Sequence, residues 1–517
     1  VAEAADTGGL PADWHLRDPE RDGLPGVSAT RALTELLAGR TPQRTVVVAV
    51  IDGGVDTAHA ALRPVLWRNP REQPNGRDDD RNGLVDDVRG WNFLGGSGGR
   101  SVDHERLELT RLAAACRAGR PVPQLPSVGA TCPQLVARLD SARQANARQL
   151  AQVASIARLL DALVAPLAAT LGVPADSVTP ERVRALQPAT AAVREARERY
   201  LYAARMGASR EAIREAREQL ESSARHELNP DFDPRPIVGD SVRGRPYGNP
   251  DVTGPDAEHG THVAGIVAAV AGVPGDSGMR GVAPAAVVRV MGVRAVPNGD
   301  ERDKDVAAAI RYAVDHGAQI VNMSFGKGYS PEKPVVDSAV RYAERRGVLL
   351  VHAAGNEGSD NDRGGNYPTP LYADSTRATT WLEVGASTAQ RERLAASFSN
   401  YGARTVDLFA PGSDIYSTVP GGGYARNSGT SMAAPVVSGV AALLMAYFPT
   451  LTAVDVRRIL MASAVRQPDV TTPRPGGDEV VPFAALSSTG GIVNALAAVR
   501  MALEETRARG AGVVPQE

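Results

Sequence analysis

Three short segments carry residue types able to act together on a carbonyl group. Asp52-Gly53-Gly54-Val55-Asp56 ends the β-branched run Thr45–Ile51. His259-Gly260-Thr261-His262-Val263-Ala264-Gly265 opens an Ala/Val-rich helical stretch, and Gly429-Thr430-Ser431-Met432-Ala433-Ala434-Pro435 opens another. A serine hydroxyl is a poor nucleophile until a neighbouring base takes its proton. Neutral imidazole does this near pH 7. A buried carboxylate holds the imidazole tautomer and stabilises the imidazolium. A serine at a helix N-terminus also has its own N–H free to meet a developing oxyanion.

Each segment alone has a plainer reading. Asp-Gly after a strand is usually a turn, and Gly-Thr-Ser is usually a helix cap. The i,i+3 histidines lack the acidic partners of a metallopeptidase pattern. Taken together, in the order Asp…His…Ser and with Val351–Gly358 (VHAAGNEG) between His and Ser, the motifs resemble the subtilisin-like serine protease (subtilase) family. Ala395–Gly412 and Gly491–Ala495 extend the resemblance, which covers roughly 1–100 and 231–503.

The resemblance implies a serine endopeptidase. Asp52 orients, His259 is general base and then acid, and Ser431 is the nucleophile. Asn356 donates the second oxyanion hydrogen bond, and His262 is a packed helix residue. Val321–Gly326 (VNMSFG) resembles the segment whose backbone pairs with extended substrate, which places Ser324, Phe325 and Gly326 beside the S1 pocket. Glu357 is expected near S1, favouring a basic P1 residue, or else is an exposed rim charge. A catalytically silent binding protein and an acyl-transferring transpeptidase are the alternatives. The intact Asp52, His259, Ser431 and Asn356 argue against the first.

Two features depart from the family pattern. Gly53 stands where a Ser or Thr usually follows the aspartate, so a hydroxyl near the carboxylate is lost. Asp52 and His259 also lie 207 positions apart, which points to a long insertion.

The elements that must position these residues follow from periodicity. Thr45–Ile51, Val287–Val293, Gln319–Met323 and Val348–His352 read as buried strands. Helical stretches at Thr30–Ala38, Asp303–His316 and Pro334–Arg346 lie around them. Alternation of this kind predicts an α/β, doubly wound, mostly parallel sheet with helices on both faces. Ligands of such sheets bind beyond the carboxyl ends of the strands. Between about 101 and 230 the chain turns Arg/Glu/Ala/Gln-rich. Leu135, Leu139, Ala142, Leu150, Val153, Ala157, Leu160, Val164 and Leu167 recur there at helical spacing, interrupted only by Asn146. A charged helical stretch from Pro188 to Glu227 follows, with a break at Gly207. The division is therefore 1–100 and 231–503 for the α/β domain, 101–230 for an α-helical insertion, and 504–517 for a tail.

Asp78-Asp79-Asp80-Arg81-Asn82-Gly83-Leu84-Val85-Asp86-Asp87 begins as D-x-D-x-N-G, the opening of a calcium loop. Asp78, Asp80 and Asn82, the Leu84 carbonyl, and Asp86 or Asp87 are the expected ligands of a structural Ca2+. So many carboxylates together repel one another without a cation.

Bulk properties exclude other classes. Net charge is −2, so no strong field favours nucleic acid or an acidic membrane. Of 57 Lys and Arg only three are lysine, but acids balance the arginines throughout. No uninterrupted apolar run of membrane-spanning length is present. Cys116 and Cys132 are either a disulfide, which suits an oxidising compartment, or two buried thiols. The numbering starts at Val1, and a secreted or periplasmic location is expected after removal of a leader. The expected partner is a protein or peptide substrate.

Overall fold

In the computed structural model, residues 9–120, 122, 129–240 and 246–511 are described. They form two compact units, with residues 11–108, 233–240 and 246–511 in the larger and 109–120, 122 and 130–232 in the smaller. Residues 101–108, read from composition as the start of the insertion, belong to the larger unit.

The larger unit holds β1 (Val46–Asp52), β2 (Gly90–Asn92), β3 (Val288–Arg294), β4 (Ile320–Met323), β5 (Leu349–Ala353), β6 (Trp381–Ser387) and β7 (Leu408–Pro411). It also holds β8 (Ile415–Val419), β9 (Gly423–Asn427), β10 (Val465–Arg466), β11 (Thr471–Pro473), β12 (Val480–Pro482) and β13 (Gly491–Ile492). Nine of these form one sheet in the order β10-β13-β7-β6-β5-β4-β1-β3-β2. Only the β10–β13 pairing is antiparallel. β8–β9 and β11–β12 are separate hairpins.

β1 is buried along nearly its whole length because a central parallel strand is covered on both faces. Ile51, Met291, Val293, Val321, Met323 and Leu350 pack on one face with apolar residues of helices Asp303–Asp315 and Lys333–Arg345. Helices Glu258–Ala268 and Thr430–Tyr447 pack against strands and against each other. Thr430–Tyr447 is apolar all round and buried through Ala446, as a central helix must be. β3 begins one residue later than the β-branched run suggests and extends to Arg294. The stretch at Thr30–Ala38 is a short helix, Ala29–Arg31, continued by a π-turn at Ala32–Leu36.

The smaller unit is helical. One helix of 40 residues, Cys132–Leu171, starts at a Thr131/Gln134 capping box and stops at Gly172, which has a positive φ of 66°. Leu135, Leu139, Leu160, Val164 and Leu167 of the apolar stripe are buried, as is Asn146. Helices Ala191–Arg205 and Arg210–Arg225 flank Gly207, whose φ of 77° makes the turn. Cys116 and Cys132 form a disulfide, Cα–Cα 5.4 Å.

Two helices are long and apolar enough to cross a membrane by composition, Cys132–Leu171 and Thr430–Tyr447, although the sequence reading found no such run. The second is the core helix just described. The first carries Asp161, which is ion-paired with Arg210 at 2.6 Å.

Candidate active site

β1 delivers Asp52 to the carboxyl edge of the sheet, where its side chain is almost fully buried. His259 sits in the first turn of its helix with Nδ1 at 2.8 and 3.0 Å from the two Asp52 carboxylate oxygens. Nδ1–H donates there, which leaves Nε2 as the acceptor on a half-exposed ring. Gly260 permits this approach: a Cβ there would lie 2.1 Å from the Gly54 carbonyl and 2.9 Å from Asp52 Cβ. The Gly53 amide donates to Asp52 Oδ1 at 2.7 Å, so a backbone N–H serves the carboxylate where the hydroxyl is missing.

Partial desolvation of the His259 ring disfavours its charge, but the Asp52 carboxylate, together with Asp256 and Glu258, outweighs this and raises its pKa above the ordinary imidazole value. His262 lies inside the helix, with Nε2 at 3.2 Å from the Ala425 carbonyl. Burial pushes its pKa down to about 4.

Ser431 occupies the second position of its helix, where backbone N–H groups have no intrahelical acceptor. Its hydroxyl donates to the Ser324 carbonyl at 3.1 Å, and the Ser324 hydroxyl returns a bond to the Ser431 carbonyl at 2.8 Å. Asn356 Oδ1 accepts from the Thr430 amide at 2.8 Å and from the Thr430 hydroxyl at 3.0 Å. Its NH2 group is thereby identified as the end left to donate.

A cleft of about 340 Å³ is lined by Asp52, His259, Asn356, Ser324, Phe325 and Gly326. Asn366 bridges the two segments that carry these residues. Its amide donates to the Ala353 carbonyl at 3.0 Å, and a Cβ on Gly326 would meet its Oδ1 at 2.2 Å. Asp103, Asp256, Glu301 and Arg294 line the same cleft. The Asn298 amide donates to both Asp103 and Asp256, at 3.1 and 3.2 Å. Glu357 is exposed and does not line the cleft; its carboxylate accepts from Asn400 at 2.8 Å. Asp103, Arg294 and Asn366 were not read from sequence, since none lies in a recognisable motif.

The acidic loop folds around its own amides. Asp78 accepts from the Asn82 and Gly83 amides, and Asp80 from the Asn82 amide. Asn82 donates to Asp87, and its Oδ1 accepts from the Leu84 amide. Asp86 is turned away, with a φ of 59°, to bind the Asn75 and Gly76 amides. Carboxylate oxygens of Glu72, Asp78 and Asp80 instead come within 4.8 Å of one another, and Asp80, Asp87 and His316 form a second such group. Glu72 is fully buried. Its Oε1 accepts from the Asp79 and Asp80 amides, whereas Oε2 has no hydrogen-bond partner. Glu72 precedes the D-x-D-x-N-G run and carries no signal in that motif.

The profile of the Subtilase family matches residues 43–484, and the chain belongs to that family. It is 42% identical over 217 residues to a thermophilic serine proteinase of Bacillus sp. (strain AK1), covering 42% of this chain and 48% of that protein. It is 38% identical over 238 residues to subtilisin DY of Bacillus licheniformis, covering 45% of this chain and 78% of the relative. The chain thus spans about half the length of the first relative. A solved cold adapted subtilisin-like serine proteinase aligns at 32% identity and a TM-score of 0.37, over 48% of this chain and 76% of the other.

Proposed function

We propose that the protein is a serine endopeptidase that cleaves protein or peptide substrates through an acyl-enzyme on Ser431. The observation that carries this reading is the Asp52–His259 pair at 2.8 Å on one side of a cleft that has Asn356 on its wall, beside the N-terminus of the Ser431 helix. His259 Nε2 takes the Ser431 proton as Oγ attacks the carbonyl carbon, and the imidazolium forms against Asp52. The oxyanion meets the Ser431 N–H and the Asn356 NH2. His259 then protonates the leaving amine, and a water activated by the same Nε2 hydrolyses the ester. Ser324, Phe325 and Gly326 offer backbone to an extended substrate.

A fluorophosphonate probe tests the reading. The folded chain is expected to be labelled on Ser431 and Ser431→Ala is not. Equal labelling of both, or of neither, removes the triad. Cleavage profiling on a peptide library, with products sorted into hydrolysed and transpeptidated, then separates endopeptidase from acyl transferase.

The acidic loop is proposed to hold a structural Ca2+. Glu72, Asp78 and Asp80 are the core of the site, because a buried carboxylate oxygen without a partner is costly unless a cation meets it. Asp87 and Asn82 stand beside them, and Asp86 is left out. Such an ion would pin the loop and take no part in the chemistry. The Cys116–Cys132 disulfide supports a secreted or periplasmic location.

A further inference from the structure

Arg294, the last residue of β3, is 1% exposed. Arginines this deeply buried normally face a carboxylate. Among the described residues Arg294 makes no ion pair, and its donors go to neutral oxygens. Nε donates to the Gly53 carbonyl at 2.5 Å, Nη2 to the Val102 carbonyl at 2.7 Å and Nη1 to Asn92 Oδ1 at 3.3 Å. Burial lowers its pKa to about 10, partly offset by Asp103, Asp251 and Asp256, so the group stays charged at neutral pH.

Asp52 and Arg294 are register partners on adjacent parallel strands, and their side chains leave the sheet on the same face. Between them lies one residue that serves both. Gly53 gives its carbonyl to Arg294 and its amide to Asp52 Oδ1, the oxygen nearest His259 Nδ1. Gly254, five residues before His259, leaves room for the guanidinium, since a Cβ there would lie 2.2 Å from Arg294 Nε.

We propose that Arg294 is a positioning residue for the Asp52–His259 pair, clamping Gly53 so that its amide fixes the carboxylate oxygen facing the imidazole. The inference rests on the reading that this pair works in catalysis. It also accounts for Gly53: a long-range clamp on the backbone stands in for the local hydroxyl.

The test uses the full chain, Arg294→Met, Gly254→Ala and Arg294→Lys. The downfield NMR resonance of the His259 Nδ1 proton reports the Asp52 hydrogen bond directly. Kinetics per fluorophosphonate-titrated site report catalysis. Arg294→Met and Gly254→Ala are expected to move or broaden the resonance and to lower kcat by about tenfold or more, with KM held within about twofold. Arg294→Lys recovers part of both, because an ammonium can still reach the Gly53 carbonyl. A wild-type resonance together with a wild-type kcat per titrated site, in a folded variant, overturns the clamp. So does a loss of folded protein with normal kcat in the remainder, which is a purely structural role. If Arg294→Met does not accumulate, Arg294→Lys decides by the same resonance and kcat per titrated site, since it keeps the buried charge and loses the planar fork. If the wild-type chain hydrolyses nothing, the peptidase reading fails while the resonance still judges the clamp.

Discussion

Thr430 holds the Asn356 side chain by two hydrogen bonds to the same oxygen, one from its amide at 2.8 Å and one from its hydroxyl at 3.0 Å. The hydroxyl also accepts from the Gly355 amide at 3.1 Å. The residue before Ser431 therefore aims the amide proposed to meet the oxyanion. Asn356→Ala is expected to lower kcat by about 10^2–10^3. Thr430→Val keeps the amide donor and should cost about tenfold, the worth of one hydrogen bond. Both leave KM nearly unchanged, because the oxyanion exists only in the transition state. Steady-state kinetics check this, and a Thr430→Val effect confined to KM would contradict it.

The pH profile follows from Asp52. In the proposed mechanism His259 must be neutral to act as base, and the nearby carboxylate raises its pKa. Activity should therefore fall on the acid side at a pH above that of an ordinary imidazole, as kcat/KM reports the free enzyme. Asp52→Asn removes the charge that stabilises the imidazolium. The acid limb should move to lower pH while kcat drops by about 10^4. An acid limb that stays in place in Asp52→Asn would show that another group governs it.

Much of this arrangement is visible in the chain because it is local. β1 is a run of apolar residues up to Asp52, and the serine and histidine motifs are contiguous, each at the start of a helix whose small residues allow close packing. The Gly207 turn is a single breaker in a periodic stretch. The remainder depends on contacts between distant positions. Arg294 meets Gly53 across 241 residues, and no periodicity marks it. Asp103 lies in a segment whose composition resembles the insertion, yet it lines the cleft of the larger unit. Asp86 fits the calcium spacing but is drawn to two amides by a left-handed backbone, while Glu72 reaches the site from outside the motif.

Two histidines, His15 and His262, are buried neutral. Burial pushes both His15 and His262 down to about 4. Neither ring nitrogen of His15 has a hydrogen-bond partner. Between pH 6.5 and about 4 the unfolded chain binds protons that the folded chain refuses, so stability rises with pH across that window. The loss on acidification is on the order of 3 kcal/mol for each residue. Chemical denaturation between pH 7 and pH 4 measures it. His15→Leu should flatten the slope, and an unchanged slope in that variant assigns acid sensitivity elsewhere.

The acidic loop makes a prediction about stability rather than rate. A ligand that binds only the folded state at a hundred times its Kd contributes about 2.7 kcal/mol. For a domain of this size that is roughly 3 °C in Tm. EDTA should lower Tm by about this amount, and added Ca2+ should restore it. Glu72→Gln removes the charge of the buried carboxylate and should make Tm indifferent to EDTA, whereas Asp86→Asn should retain the full response because Asp86 faces backbone amides. Calorimetry with and without EDTA on the three proteins decides the matter. A Glu72→Gln protein that still responds as the wild type does would place the ion away from Glu72, and an Asp86→Asn protein that loses the response would restore the ligand set expected from the motif.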